Sequence, residues 1–246
     1  MGNLIECKDY DQLSLKACNI LVEEVHKTLK RKELFCIAVP GGRSPRGLYR
    51  LMKDALLPWQ RIRLFFTDER CLPPDSPESN YNLLKRLLLD HIPLPPENIY
   101  RIHGELPPED AAADYERTLR DVLPGRGFDL LVLGLGQDCH IASLFPNSGA
   151  LREEKRLAVA VYNTPVAPRV TITPPLIKGS ERVMLLISGQ EKKTAFKRLV
   201  HSSVSVAECP GKLASDHKNS VILYDRISSV KNKFTLFKPR QGAEEK

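Results

Sequence analysis

The fold is decided by a short stretch near the start of the chain. Residues 35–52 read FCIAVPGGRSPRGLYRLM. The apolar run Phe35–Val39 predicts a buried β-strand, which the turn Pro40-Gly41-Gly42 ends. Apolar residues then recur at helical spacing after Ser44, a residue type that caps helices. This strand–turn–helix unit is the building block of α/β folds.

The same alternation continues along the chain. Apolar runs predict strands at 62–67, 130–135 and 183–188, and helical patterns predict helices near 21–29 and at 80–89, 111–122 and 192–200. Residues 157–173 read as extended, the proline-rich stretches 72–77 and 93–96 read as loops, and 221–224 and 234–237 read as late, peripheral strands. We therefore predict an α/β fold with a mostly parallel, Rossmann-like sheet flanked by helices on both faces. We expect a single domain over residues 1–246, with a frayed tail at 241–246.

The composition narrows the class of protein. The 246 residues include 37 Lys and Arg against 30 Asp and Glu, a net charge of +7. No apolar run approaches the roughly 20 residues that cross a bilayer, and the acidic N-terminus is unlike a secretory signal. We expect a cytoplasmic protein with no membrane partner. The basic residues form no block with interleaved aromatic residues, so we interpret them as a solvated surface and not as a nucleic-acid site.

The six cysteines are scattered along the chain and form no C-x-x-C pair. A chain of this length does not need disulfide bonds to hold its core. We expect free thiols.

Three segments that follow predicted strands are rich in polar residues or glycine. In an open parallel sheet, ligands bind beyond the carboxyl ends of the strands. In the first segment, Gly41 and Gly42 allow close backbone approach, and Arg43 and Ser44 follow them. Such a turn offers amide donors to a phosphate, although a plain strand-to-helix turn is the alternative.

The second segment is Thr67-Asp68-Glu69-Arg70. Three successive charges are expected to be exposed at the edge of the sheet. Carboxylates beside an arginine suit a polar small-molecule site, and a surface ion pair is the equal alternative.

The third segment is GLGQDCH at 134–140. Asp138 and His140 lie two residues apart, and we predict that they stand at the start of a short helix. A histidine here can act as a general base near neutral pH, and the amides of residues 139–141 can stabilise an oxyanion. Cys139-His140 is a weak metal pattern, and we expect no metal.

Several motifs, in order along the chain, resemble those of the 6-phosphogluconolactonase family. They are GGRSP at 41–45, TDER at 67–70, ESNY at 78–81, GLGQDCHIASLFP at 134–146, RVTITPPLI at 169–177 and SGQEK at 188–192. The most specific is the Asp-x-His-x-Ala-Ser-Leu-Phe-Pro string. Glucosamine-6-phosphate deaminase is similar in fold, but it has an Asn-Glu-Pro element after its histidine, where this chain has Ala142-Ser143-Leu144.

The resemblance implies hydrolysis of 6-phospho-D-glucono-1,5-lactone to 6-phospho-D-gluconate in the oxidative pentose phosphate pathway, without a cofactor. It assigns His140 and Asp138 to catalysis. It assigns substrate and phosphate binding to Gly41, Gly42, Arg43, Ser44, Asp68, Arg70, Arg169 and Lys192. The partner is a sugar-phosphate lactone, and we expect a monomer or weak homodimer. The alternatives are a deaminase-like isomerase with Asp68 as its base, and a non-catalytic, RNA-linked member of the family.

One residue departs from the family pattern. Cys139 stands where the family usually has glycine between the aspartate and the histidine. If this position needs a positive φ, a β-carbon there costs about 1 kcal/mol. We expect such a conformation to shift His140 and to reduce activity.

Overall fold

The computed structural model describes residues 2–123, 127–201 and 203–226. The predicted strand at 234–237 and the predicted frayed tail lie outside these residues. The strands are β1 (Asn3–Cys7), β2 (Phe35–Val39), β3 (Ile62–Phe66), β4 (Asp68–Arg70), β5 (Ile99–Tyr100), β6 (Leu130–Gly134), β7 (Ala158–Val161), β8 (Arg169–Ile172), β9 (Val183–Ile187) and β10 (Ser220–Asp225). The helices are α1 (Tyr10–Leu29), α2 (Arg46–Met52), α3 (Asn80–Leu87), α4 (Pro108–Val122), α5 (Pro174–Gly179), α6 (Lys193–Val200) and α7 (Lys212–Ser215).

Seven of these strands form one parallel sheet in the order β1-β10-β9-β6-β2-β3-β5. Its central strands are continuous apolar runs, and every residue of β9 is buried. Such runs are typical of parallel strands that helices cover on both faces. The predicted fold class is confirmed.

A smaller antiparallel sheet, in the order β4-β8-β7, lies beside the main one. The stretch predicted as extended, 157–173, forms β7 and β8, which pair with each other. β4 comes from the TDER motif and pairs with β8, so that Arg70 faces Arg169 in register.

Two strand predictions need correction. The strand at 221–224 is not peripheral, because β10 lies between β1 and β9 inside the sheet. β1 was not predicted. It is an edge strand with a single neighbour and only one fully buried residue, Cys7, so its sequence lacks a clear apolar pattern.

The strand order creates a crevice at a defined place. The chain moves outward from β2 to β3 and β5, and β6 then pairs with the opposite side of β2. The loops that follow β2 and β6 therefore leave in opposite directions. Ligand sites of open α/β sheets lie at such a reversal of strand order.

The longest described helix is α1, with 20 residues. Neither it nor any other helix within the described ranges has the length and hydropathy of a membrane span.

Candidate active site

A cavity of about 430 Å³ opens at the crevice between β2 and β6. Cavities of this size accommodate small molecules. The structure brings together on its wall all ten residues that the sequence assigned to the site: Gly41, Gly42, Arg43, Ser44, Asp68, Arg70, Asp138, His140, Arg169 and Lys192. Their roles in catalysis and binding remain predictions.

The turn after β6 carries the two residues assigned to catalysis. The amide of Gly136 donates to the His140 carbonyl oxygen at 2.7 Å, and the amide of Cys139 donates to the Gly136 carbonyl oxygen at 3.1 Å. The predicted short helix is wrong, because Cys139 and Ala142 have φ values of 80° and 48°. These left-handed conformations interrupt a right-handed helix.

The tight turn also corrects the predicted oxyanion donors. The Cys139 amide already donates to Gly136, and the His140 amide donates to Asp138 Oδ1 at 3.2 Å. Two of the three amides therefore serve the turn itself.

His140 and Asp138 form a hydrogen-bonded pair. His140 Nδ1 lies 2.5 Å from Asp138 Oδ1. A carboxylate accepts at this distance, so the neutral ring holds its proton on Nδ1 and its lone pair on Nε2. Burial opposes ionisation of Asp138, but the hydrogen bonds and charge of His140 outweigh it and hold the pKa of that carboxyl below its usual range. The imidazole also packs on Phe145, with 4.7 Å between ring centroids.

The loop after β2 also lines the cavity. Gly42 has a φ of 86°, a conformation that glycine adopts without strain. Arg43 extends from this loop and pairs with Glu191 at 2.7 Å. Ser44 does not cap α2 as predicted, because Pro45 precedes the helix and no side chain caps it. Ser44 is instead buried against the cavity.

The carboxylates of the TDER motif are not exposed, contrary to the prediction. Asp68 and Glu69 are 5% and 3% exposed. Glu69 accepts hydrogen bonds from the amides of Asn80 and Tyr81 at 2.8 and 2.7 Å, which hold the start of α3 against β4. Buried charges are tolerated when they are paired and hydrogen-bonded, and these carboxylates meet that condition.

Asp68 lines the cavity and contacts two other buried residues. Its Oδ2 accepts from the Ser143 hydroxyl at 2.6 Å and lies 3.8 Å from Arg169 Nη1. The Arg169 guanidinium also lies over the Phe145 ring, 5.6 Å from its centroid. Burial lowers the pKa of Arg169, and the charge of Asp68 opposes this effect.

Arg70 is held beside Arg169 by a residue that the sequence had not singled out. Arg70 Nη1 donates to Asn80 Oδ1 at 2.7 Å, and Asn80 Nδ2 donates to the Asp68 carbonyl oxygen at 2.8 Å. Asn80 also lines the cavity. The signal for it was present, since it belongs to the ESNY motif, but only the fold places that motif next to TDER.

Lys192 immediately precedes α6 and lines the cavity, whereas its neighbour Lys193 does not line it. Burial lowers the pKa of Lys192; the charge of Arg43 adds to this effect, and Glu191 opposes it. Among the described residues, the cavity wall carries four cationic side chains, Arg43, Arg70, Arg169 and Lys192, and two carboxylates, Asp68 and Asp138. The excess of positive charge suits an anionic ligand.

The expectation that all cysteines are free thiols is wrong for two of them. Cys139 and Cys209 form a disulfide bond across 70 residues of sequence. Their α-carbons lie 4.9 Å apart, because the segment before α7 returns to the turn after β6. No spacing rule reveals a pair that the tertiary fold creates. Cys7, Cys18, Cys36 and Cys71 are free.

Comparison with known proteins identifies the family. Residues 8–223 match the family described as glucosamine-6-phosphate isomerases/6-phosphogluconolactonase. The chain is 31% identical over 228 residues to a 6-phosphogluconolactonase from Nostoc sp., an alignment that covers 90% of this chain and 95% of that protein.

Solved structures agree with this assignment. The crystal structure of 6-phosphogluconolactonase from Thermotoga maritima superimposes with a TM-score of 0.83 and 26% identity, covering 92% of this chain and all of that one. A monomeric glucosamine-6-phosphate deaminase shares the fold, with a TM-score of 0.80, 23% identity, and coverage of 92% of this chain and 98% of that one. The chain therefore belongs to the 6-phosphogluconolactonase family.

Proposed function

We propose that this protein hydrolyses 6-phospho-D-glucono-1,5-lactone to 6-phospho-D-gluconate, a step of the oxidative pentose phosphate pathway. The observation that carries the proposal is the His140–Asp138 pair on the wall of a cavity with net positive charge. A phosphorylated lactone needs both features, because its ester carbonyl requires an activated water and its phosphate requires cations.

His140 acts as the general base. Its Nε2 takes a proton from a water molecule, whose oxygen attacks the lactone carbonyl carbon. The tetrahedral intermediate then expels the ring oxygen, which takes the proton back from the imidazolium. Asp138 holds the ring in the required tautomer and stabilises its charged form. This cycle consumes one water and leaves the enzyme unchanged, so we propose no cofactor and no metal.

The cationic side chains bind the substrate. Arg43 directly follows the glycine turn of Gly41 and Gly42 and pairs with Glu191, the chain neighbour of Lys192, so this part of the cavity wall combines charge with backbone amides. Arg70 and Arg169 lie on the side of Asp68. We assign these four cations to the phosphate and to the oxygen atoms of the sugar, with Ser44 as a further hydroxyl donor.

The deaminase-like alternative requires Asp68 as a base. Asp68 Oδ2 is engaged with Ser143 and lies close to Arg169, so abstraction of a substrate proton would have to compete with both contacts. These contacts favour the lactonase. The activity is proposed for a single domain over residues 1–246 in the cytoplasm, acting as a monomer or weak homodimer on a small-molecule substrate without nucleic acid.

The test measures hydrolysis of freshly generated lactone above its spontaneous rate. The wild type should turn over, and His140→Ala should lower kcat by ~10²–10⁴-fold, the usual contribution of a general base. His103→Ala is the matched control, because His103 pairs with Asp114 at 2.7 Å and does not line the cavity.

Equal rates for His140→Ala and the wild type would remove His140 from the mechanism. Release of ammonia from glucosamine 6-phosphate, without lactone turnover, would instead identify a deaminase. Salt-sensitive RNA binding without either activity would identify the non-catalytic alternative.

A further inference from the structure

The disulfide between Cys139 and Cys209 adjoins the proposed catalytic pair. Cys139 stands between Asp138 and His140 in the chain, and both sulfur-bearing residues are fully buried. The bond ties the turn after β6 to the segment that precedes α7. The disulfide therefore restrains the backbone on the N-terminal side of His140.

The backbone conformation of Cys139 is unfavourable unless its side chain is restrained. Its φ of 80° lies in the left-handed region, which a residue with a β-carbon adopts only when its surroundings hold it there. If the side chain is released, the backbone can relax toward negative φ. The peptide bond to His140 would rotate with it, and the hydrogen bond from Nδ1 to Asp138 would be lost or lengthened.

The same segment also holds the turn without covalent bonds. The amide of Gly211 donates to the Cys139 carbonyl oxygen at 2.9 Å. Arg198 donates both to the Asp138 carbonyl oxygen, at 3.3 Å, and to the Glu208 carbonyl oxygen. These contacts keep the two segments together when the disulfide opens, so reduction changes the turn locally and does not unfold it.

We propose that Cys139 and Cys209 are a redox-sensitive positioning pair for His140, so that oxidation supports turnover and reduction weakens it. The inference rests on the proposed function. Reduction by an external dithiol breaks the S–S bond, places one proton and one electron on each sulfur and leaves the dithiol as a disulfide. Reoxidation by a small disulfide reverses both changes.

The size of the protein favours a redox switch over a disulfide that is needed for folding. A chain of 246 residues with a large buried core does not depend on one disulfide for its fold. In compartments that keep thiols reduced, the disulfides that do form are usually catalytic or redox-sensing.

The experiment compares oxidised and reduced protein, with dithiothreitol as the reductant and alkylation followed by mass spectrometry to count free thiols on Cys139 and Cys209. We expect reduction to lower kcat by about 5-fold, the rate ratio of a barrier change of about 1 kcal/mol, with little change in KM. Oxidised glutathione should restore the rate.

Two variants separate positioning from general thiol effects. Cys209→Ser removes the link but keeps the strained side chain at 139, so it should match the reduced wild type with or without reductant. Cys139→Gly accepts the left-handed φ without a link, so it should turn over and lose the response to reductant. Cys36→Ser, a half-buried residue of β2 outside the cavity, should respond as the wild type does.

A readout without substrate keeps this inference apart from the proposed function. The NMR resonances of the His140 ring should shift between oxidised and reduced wild type, and they should not shift with reductant in Cys139→Gly. If the shift occurs and no lactone is hydrolysed in either state, positioning stands and the proposed function fails. Unchanged ring resonances after confirmed reduction would overturn the proposal. In a protein that hydrolyses the lactone, an unchanged kcat after confirmed reduction would also overturn it, and so would a Cys139→Gly variant that responds as the wild type does.

Discussion

The α-carbon of Gly136 lies against the imidazole ring of His140. A β-carbon on Gly136 would overlap Nδ1, Cε1 and Cγ of that ring, although Gly136 does not have a positive φ. The glycine is therefore required by close approach and not by its own torsion angles. It allows the turn to fold back so that His140 reaches Asp138.

Gly136→Ala should lower kcat by ~10²-fold with little change in KM, because displacement of a catalytic group by about 1 Å costs that much. The measurement is steady-state hydrolysis together with the midpoint of thermal unfolding. Gly149→Ala is the matched control, since a β-carbon there meets no atom within 4 Å and the residue does not line the cavity. Equal losses in both variants would show that the contact with His140 is irrelevant.

Lys192→Ala should raise KM for the phosphorylated lactone by about 10-fold, the effect of losing one charge-assisted contact worth about 1.4 kcal/mol. Lys193→Ala provides a control at the next position, because Lys193 does not line the cavity. Initial rates over a range of substrate concentrations measure both. A larger effect from Lys193 than from Lys192 would reverse the assignment.

Arg169→Ala should also act mainly on KM, by ~10–100-fold, because a hydrogen bond to a charged group contributes about 1.5–3 kcal/mol. Unphosphorylated glucono-1,5-lactone serves as the control substrate. Its KM should change little if Arg169 binds the phosphate. An unchanged KM for the phosphorylated lactone would mean that the phosphate lies elsewhere.

A pH effect on stability is expected away from the site. The two hydrogen bonds from Arg101, at 2.8 and 2.6 Å, lower the pKa of Glu105 to about 2 from a reference value of 4.5, against the opposing effect of burial. A carboxyl whose pKa is lowered by folding stabilises the native state above its unfolded pKa, and this contribution disappears as pH falls through the folded pKa.

Glu105→Gln should therefore lower the free energy of unfolding at pH 6, and the difference from wild type should shrink between pH 4.5 and pH 2. Urea unfolding at a series of pH values measures it. Arg101→Gln removes the hydrogen-bond partner of Glu105. In that background, Glu105→Gln should change the free energy of unfolding by the same amount at every pH. If wild type and Glu105→Gln differed in free energy of unfolding by the same amount from pH 4.5 to pH 2, the assigned pair of Arg101 and Glu105 would be contradicted.

The sequence predicted most strands of the main sheet because these strands are short, mostly apolar runs. β2, β3, β6 and β9 lie inside the sheet and nearly all of their residues are buried, so their sequences are mostly apolar, and the helices between them follow the helical period. β1 escaped prediction because an edge strand with one neighbour need not be apolar.

The candidate site was also predicted only in part. Motifs that follow predicted strands located eight of the ten assigned residues, since parallel strands place their carboxyl ends at one edge of the sheet. The other two, Arg169 and Lys192, were assigned through the family resemblance. The errors concern what surrounds those motifs. Asp68 and Glu69 were expected at the surface, because a run of charges gives no sign of the partners that Ser143 and Asn80 supply from elsewhere in the chain.

The sequence by itself thus determined the α/β class, the family resemblance and ten residues of the cavity wall, because apolar periodicity and motifs of adjacent residues are local properties. Only the tertiary structure decided three features: the left-handed turn at Cys139, its bond to Cys209 and the place of Asn80 beside Arg70. Each depends on contacts between segments that are distant in the chain. Such contacts arise from the packing of the whole sheet, and no local pattern specifies them.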